Sequence, residues 1–212
     1  LSSDVQTVIR EVENFYFQNI PAQNVLRDVN VQNAAWRRIR SAFSFQNLSV
    51  EALAYIYENT LVDPDTREKL GIHATAYLIA EYIIQQLPID ELPLEECRFF
   101  EPFAGHAPFL IAALRKLRTM LPAGTSIEKR HDYFVRMLSG MEYEALACEV
   151  AGYSLILADY PNPNGWRIEK ANVFTSPNLN DYLTQANIVL CNPPYEYFPK
   201  NERQFYPSLR SV

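Results

Sequence analysis

The sequence is poor in the residues from which many functional sites are built. It has three cysteines and three histidines, and neither type occurs at the spacing of a zinc site. Cys97, Cys148 and Cys191 are odd in number and far apart, which indicates reduced thiols in a cytoplasmic protein. We therefore expect neither a metal centre nor a disulfide framework.

Long apolar runs and excess positive charge are also missing. No run is long enough to span a bilayer and no secretory signal heads the chain, so we expect no membrane contact. The net charge of −6 argues against tight binding of a polyanion by this chain alone. The chain begins at Leu1 and ends at Val212 without an evident cap. We therefore expect a fragment of a longer protein, whose other part could carry a basic surface.

Residues 1–66 are predicted to form an N-terminal helical subdomain. Apolar periodicity predicts helices over residues 4–18, 23–43 and 50–61. Ser49 is a suitable N-cap for the third helix. In the second, Arg37, Arg38 and Arg40 can contact a phosphate backbone, but a solvated helix face is the better interpretation.

Residues 67–212 alternate short strands with helices. Strands are predicted over residues 98–101, 135–141, 166–170 and 186–191, helices over 75–87, 106–120, 144–157 and 180–183, and loops over 122–132 and 158–165. Alternation of this kind predicts an α/β fold with a parallel sheet and right-handed crossovers.

The first two predicted strands end in residues suited to a nucleotide-like ligand, because open α/β sheets bind ligands at the carboxyl ends of their strands. Small residues follow Glu101 and let a ligand approach the backbone, although with Gly105 alone this is no dinucleotide fingerprint. A tight strand-to-helix turn is the alternative. Glu142 ends the second strand, where its carboxylate can accept bonds from two ribose hydroxyls. Glu142 and Glu144 fit equally well as carboxylates at a helix N-terminus.

The last two predicted strands end in amides and aromatic rings. Asn172 and Phe174 can bind the edge and the face of an adenine ring, or they can be a loop amide and a core ring. The fourth strand stops at Asn192-Pro193-Pro194-Tyr195, because neither proline has an N–H to donate to a ladder. The two prolines also stiffen the turn, so Asn192 and Tyr195 are held rigidly.

In this order the four strand ends resemble the amino-methyltransferases that use S-adenosylmethionine. The resemblance is strongest to the N6-adenine DNA methyltransferases of restriction–modification systems, of the type IIG and type I modification classes. It covers roughly residues 50–198, and Asn192-Pro193-Pro194-Tyr195 is its most specific element. Upstream, Tyr57-Glu58 and residues 71–77 look like the family's cofactor-binding segment.

The resemblance implies a Rossmann-like methyltransferase sheet over residues 67–212, incomplete at the C-terminus, and S-adenosyl-L-methionine as the cofactor. It implies double-stranded DNA as the partner, bound mainly through a target-recognition region beyond Val212, in a bacterial or archaeal cytoplasm. The cofactor-binding residues it implies are Thr75, Glu101, Pro102, Phe103, Ala104, Gly105, Glu142, Tyr143, Asn172, Val173, Phe174 and Asn192. The catalytic residues it implies are Asn192, Pro193, Pro194 and Tyr195.

The sequence departs from the family's pattern at four positions. His106 and Ala107 replace a common Ser and the last Gly of the loop, Ala76 replaces a Pro, and Asn172 replaces an Asp. Ala107 adds a methyl group at a position that can require a positive φ.

The implied reaction transfers a methyl group to the exocyclic amine of an adenine flipped out of the duplex. Asn-Pro-Pro-Tyr also serves methyl transfer to a glutamine side-chain amide and to adenines of RNA, so both remain alternatives. A third alternative is a fragment that binds cofactor without turnover.

Overall fold

The computed structural model describes residues 49–58, 75–162 and 165–194. In these ranges the elements are α1 (Val50–Ile56), α2 (Tyr77–Gln86), β1 (Phe99–Glu101), α3 (Pro108–Met120), α4 (Ile127–Met137), β2 (Leu138–Glu142), α5 (Ala145–Ala158), β3 (Arg167–Lys170), α6 (Leu179–Gln185) and β4 (Ile188–Val189). Two short 3-10 helices, Ile89–Glu91 and Leu94–Glu96, lead into β1. The helices predicted over residues 4–18 and 23–43 lie outside the described residues.

The four strands form one parallel sheet in the order β3-β2-β1-β4. Phe99 of β1 pairs with Leu138 of β2 on one side and with Ile188 of β4 on the other. Helices connect the parallel strands, as parallel pairing requires. This arrangement confirms the α/β fold with a Rossmann-like parallel sheet.

The core lies between the sheet and helix α3. All three residues of β1 are buried, and so is most of α3, including Leu110, Leu114 and Leu117. Helix α3 packs on α2, β1 and β2. Burial of this extent holds the loop between β1 and α3 in a fixed position at the carboxyl end of the sheet.

Helix α4 corrects the prediction for this part of the chain. The loop predicted over 122–132 is wrong from Ile127 onward, where the helix begins, and the strand predicted over 135–141 is confirmed but begins three residues later, at Leu138. Ser126 starts the helix by accepting a hydrogen bond from the backbone N–H of Lys129 at 3.3 Å. The buried side chains of Tyr133, Phe134 and Met137 then lie on its inner face.

Helix α1 begins at its predicted cap and packs against the sheet domain. The hydroxyl of Ser49 accepts a hydrogen bond from the N–H of Ala52 at 3.1 Å. Leu53 and Tyr57 share a buried cluster with residues of α5, and Arg115 of α3 forms an ion pair with Glu51. The domain boundary at residue 66 lies outside the described residues and stays a prediction. In the described ranges, no helix has the length and apolarity to cross a membrane.

Candidate cofactor and catalytic site

Glu101 ends β1 with its side chain almost completely buried. One carboxylate oxygen accepts a hydrogen bond from the backbone N–H of Leu110 at 3.0 Å, in the first turn of α3. Burial raises the pKa of Glu101 well above its usual range despite the backbone bonds, and the charge of Glu142 raises it further. Glu101 forms no ion pair within the described residues, so a cation bound here would favour its charged form.

The loop after Glu101 turns back through two residues in the left-handed region. Gly105 has a φ of 53° and Ala107 has a φ of 64°. The N–H of Ala107 donates to the carbonyl of Ala104 at 2.6 Å, and Pro108 follows as the first helical residue. Ala107 therefore has the positive φ that the sequence pattern indicated for this position.

Glu142 connects this loop to the start of α5. One of its carboxylate oxygens accepts from the N–H of Gly105 at 2.8 Å, and the other accepts from the N–H of Glu144 at 2.7 Å. Glu144 caps α5 by accepting from the N–H of Ala147 at 2.8 Å. Burial raises the pKa of Glu142, and the backbone hydrogen bonds that it accepts oppose this rise. Glu144 is thus the helix cap, and Glu142 lies at the junction of two strand ends.

The segment after β3 brings an aromatic ring to the same edge. The side-chain oxygen of Asn172 accepts a hydrogen bond from the N–H of Phe174 at 2.9 Å. The ring centroids of Phe174 and Phe103 are 5.7 Å apart. Val173 is buried in a cluster with Phe100 and packs in the core. Asn172 and Phe174 therefore lie at the surface of the loop, with Val173 beneath them.

Asn192 and Thr75 meet although they are far apart in sequence. The side-chain nitrogen of Asn192 donates to the hydroxyl of Thr75 at 3.2 Å. Thr75 comes just before α2, and the exposed Pro193 and Pro194 follow Asn192. Tyr195 lies outside the described residues, so its predicted role stays a prediction.

His106 lies inside the loop between two aromatic rings, a position that the sequence alone did not indicate. Its ring centroid is 5.8 Å from that of Tyr57 and 5.2 Å from that of Tyr77. Its Nε2 atom is 3.7 Å from a carboxylate oxygen of Glu58, and burial lowers the pKa of His106 to about 4. His106 therefore packs the loop between β1 and α3 against α1 and α2, as a neutral ring at pH 7.

Contacts thus join the predicted site residues at the carboxyl edge of the sheet. Gly105 contacts Glu142, Phe103 contacts Phe174, and Thr75 contacts Asn192. The exposed Tyr143 follows Glu142. In the described part of the chain, no group of three or more His, Cys, Asp or Glu is arranged to hold a metal ion. Two acidic groups, aromatic rings and an amide thus lie at the carboxyl edge of the sheet, where open α/β sheets bind ligands.

Several solved structures of restriction–modification enzymes share this fold. The type IIL enzyme MmeI in complex with DNA has a TM-score of 0.60 and 18% identity, over 91% of this chain and 34% of that chain. A nuclease-deletion mutant of the type ISP enzyme LlaGI, in complex with a DNA substrate mimic, has a TM-score of 0.55 and 16% identity, over 98% of this chain and 24% of that chain. The modification subunit of a putative type I restriction enzyme from Vibrio vulnificus YJ016 has a TM-score of 0.50 and 18% identity, over 91% and 40%.

At these identities the likeness is one of fold. The chain spans between 24% and 40% of the length of these three solved chains. Comparisons with protein-family models and with curated proteins give no match.

Proposed function

We propose that this chain is the cofactor-binding and catalytic part of an N6-adenine DNA methyltransferase of a restriction–modification system. The contact between Asn192 and Thr75 carries the proposal, because it brings the predicted catalytic amide to the predicted cofactor segment. The structural neighbours support it, since all three belong to restriction–modification systems and two are complexes with DNA or a DNA mimic.

The residues at the site fit S-adenosyl-L-methionine. Glu101 and Glu142 are carboxyl groups with raised pKa and no ion-pair partner in the described ranges, which suits a ligand with positive charge and ribose hydroxyls. Phe103 and Phe174 offer aromatic faces beside them. When bound, the cofactor supplies a methyl group activated by its sulfonium. We propose that Glu142 binds the ribose, Glu101 lies near the methionine part, and Asn172 and Phe174 flank the adenine.

The chain's own contribution to the reaction is to orient and polarise the target amine. That amine is a poor nucleophile, because its lone pair is delocalised into the ring. The oxygen of the Asn192 side chain and the carbonyl of Pro193 can each accept one of its N–H groups, which favours the developing positive charge. The side-chain nitrogen of Asn192 donates to the hydroxyl of Thr75, and this bond holds the amide in place. Tyr195 would stack on the flipped base, and such stacking contributes ~1–3 kcal/mol.

Calorimetric titration with S-adenosyl-L-methionine tests the cofactor site. We expect Glu142→Ala to weaken binding at least about tenfold, because it removes the ribose acceptor and releases the loop at Gly105. Glu142→Gln keeps one oxygen for Gly105 and separates these two effects. Glu91→Ala, at an exposed position outside the site, is the control. Unchanged affinity in Glu142→Ala would remove Glu142 from the cofactor site.

A methyl-transfer assay tests the substrate. In the full-length parent protein, we expect incorporation of labelled methyl into adenine of duplex DNA, and we expect Asn192→Ala to abolish it while cofactor binding survives. Full turnover by Asn192→Ala would refute the role of Asn192. Labelling of a glutamine-containing peptide or of RNA, with none of DNA, would refute the choice of substrate.

A further inference from the structure

A second pocket lies at the opposite edge of the sheet from the candidate site. It has a volume of about 280 Å³, and three of the side chains that line it are arginines. Arg98 comes just before β1, Arg136 is in the last turn of α4 before β2, and Arg167 is the first residue of β3. The pocket is therefore built from the amino ends of three adjacent strands.

The arginines of the described ranges fall into two groups of three. Those outside the pocket are all paired with carboxylates: Arg115 with Glu51 at 2.5 Å, Arg118 with Asp159 at 3.3 Å and Arg130 with Asp159 at 3.8 Å. Those that line the pocket form no ion pair within the residues that the structure describes. Among the described arginines of this acidic protein, those without a carboxylate partner are thus gathered around one cavity.

The bonds that the pocket arginines do make leave their charge uncompensated. Arg136 donates through Nε to the backbone carbonyl of Asp132 at 3.2 Å. Arg167 donates to the side-chain oxygen of Gln185 at 3.3 Å, and its guanidinium lies 5.6 Å from the centre of the Tyr182 ring. These are neutral acceptors and a ring face, and they fix the guanidinium groups without neutralising them. Among the residues that the structure describes, no carboxylate side chain lines the pocket.

We propose that this pocket binds a phosphate group. Three arginines line one pocket, and a bound anion would offset their like charges. Each guanidinium is a planar fork of donors that matches the oxygens of a phosphate. A phosphate carries more charge and more acceptor oxygens than a carboxylate, so it suits three forks better. The phosphate can be free, or part of a small ester or of a nucleic acid backbone.

This site is separate from the proposed methyl-transfer site. Strand β1 begins at Phe99, which lines the pocket, and ends at Glu101, which lies in the candidate site at the other edge of the sheet. Phosphate binding here does not depend on the proposed function, so either proposal can fail without the other.

NMR spectroscopy of the arginine Nε–Hε groups tests the proposal. We expect inorganic phosphate to shift the signals of Arg98, Arg136 and Arg167 saturably, beyond the effect of chloride at equal ionic strength. Arg98→Gln should weaken the affinity about tenfold, because one charged donor group is lost. The side chain of Arg98 makes no hydrogen bond within the described residues, so this variant tests its charge without disturbing the fold. Lys129→Gln, on the exposed surface of α4, is the control and should bind phosphate like the parent.

Two further ligands identify the source of the phosphate. Competition by adenosine monophosphate, with none by a short DNA duplex, would support a small phosphate ester. Competition by the duplex would support a backbone phosphate. The absence of saturable shifts with any of the three ligands would overturn the proposal. Equal weakening by Arg98→Gln and Lys129→Gln would also overturn it, because it would show only a general charge effect.

Discussion

The side-chain amide of Asn192 donates a hydrogen bond to the hydroxyl of Thr75 at 3.2 Å, across 117 residues of sequence. Thr75 comes just before α2, and Asn192 follows the last described strand. The bond therefore fastens the start of the proposed cofactor segment to the proposed catalytic turn. In the proposed reaction, cofactor binding and orientation of the target amine would share this one contact.

Thr75→Val should lower the rate of methyl transfer by up to about tenfold, because it removes a hydrogen bond that orients the Asn192 amide. Thr75→Ser keeps the hydroxyl and should retain most of the rate. Single-turnover kinetics at saturating cofactor separates the orienting effect from any loss of cofactor affinity. Equal rates for the two variants would show that the bond does not orient Asn192.

Gly140 in β2 lies where β3, α3 and the loop after β1 are packed together. A Cβ at this position would be 3.0 Å from Cδ1 of Ile168, 3.2 Å from Cδ1 of Leu110 and 3.3 Å from Cβ of Ala104. We expect Gly140→Ala to lower the free energy of unfolding by about 1–3 kcal/mol, because the core is overpacked. Ala104 belongs to the loop between β1 and α3, which is part of the proposed cofactor site, so cofactor affinity should fall as well.

Gly152 in α5 is the matched control for Gly140. A Cβ there would have no atom within 4 Å. Gly152→Ala should raise the free energy of unfolding by about 0.5–1 kcal/mol, because alanine is the better helix former. Urea unfolding measures both variants. Similar changes in the free energy of unfolding for Gly140→Ala and Gly152→Ala would show that overpacking at Gly140 does not decide the outcome.

The sheet and the strand ends could be predicted because their signals are local. Ile188-Val189-Leu190 followed by two prolines indicates the end of a strand whatever its surroundings, although β4 itself is only two residues long. The acid that ends β1 and the acid that ends β2 were found in the same way. Their meeting at one edge follows from parallel pairing alone.

Other parts of the site depend on tertiary contacts and could not be predicted. Nothing in the pattern marked Gly140, because its importance comes from side chains on α3 and β3. Burial lowers the pKa of His106 to about 4, and that burial comes from tertiary packing beside Tyr57 and Tyr77. Helix α4 was missed because its mostly polar sequence hides a narrow apolar face, and Val135 beside Phe134 suggested a strand.

Glu101→Gln should change the dependence of stability on pH. Burial raises the pKa of Glu101 well above the usual value of 4.5, so the folded state holds this proton more tightly than the unfolded state. Stability therefore falls as pH rises from about 4.5 towards the raised pKa, and it stays lower above it. Glutamine cannot ionise. The variant should match the parent at pH 4 and exceed it in stability at pH 8.

Urea unfolding at the two pH values checks this, with Glu91→Gln as a control for loss of one exposed carboxyl group. His106 is present in all three proteins, so its titration cancels in the comparison. If the free energy of unfolding of Glu101→Gln differed from that of the parent by the same amount at pH 4 and pH 8, the prediction would be contradicted. If Glu101 also faces the cofactor's positive charge, Glu101→Gln should bind S-adenosyl-L-methionine more weakly while being the more stable protein.

Gly105 and Ala107 both have a positive φ, but the same exchange should affect them differently. Gly105→Ala should destabilise the fold by about 1–2 kcal/mol, because the methyl group is strained in the left-handed region and would have no atom within 4 Å.

Ala107 is fully buried, so its methyl group already contributes about 0.8 kcal/mol of burial. Ala107→Gly gives up that burial and about 0.5–1 kcal/mol of backbone entropy, in return for relief of similar strain. Its stability should stay within about 1 kcal/mol of the parent. Equal destabilisation by the two substitutions in urea unfolding would show that strain at φ does not decide the outcome. A large gain from Ala107→Gly would show that the alanine is a defect in this loop.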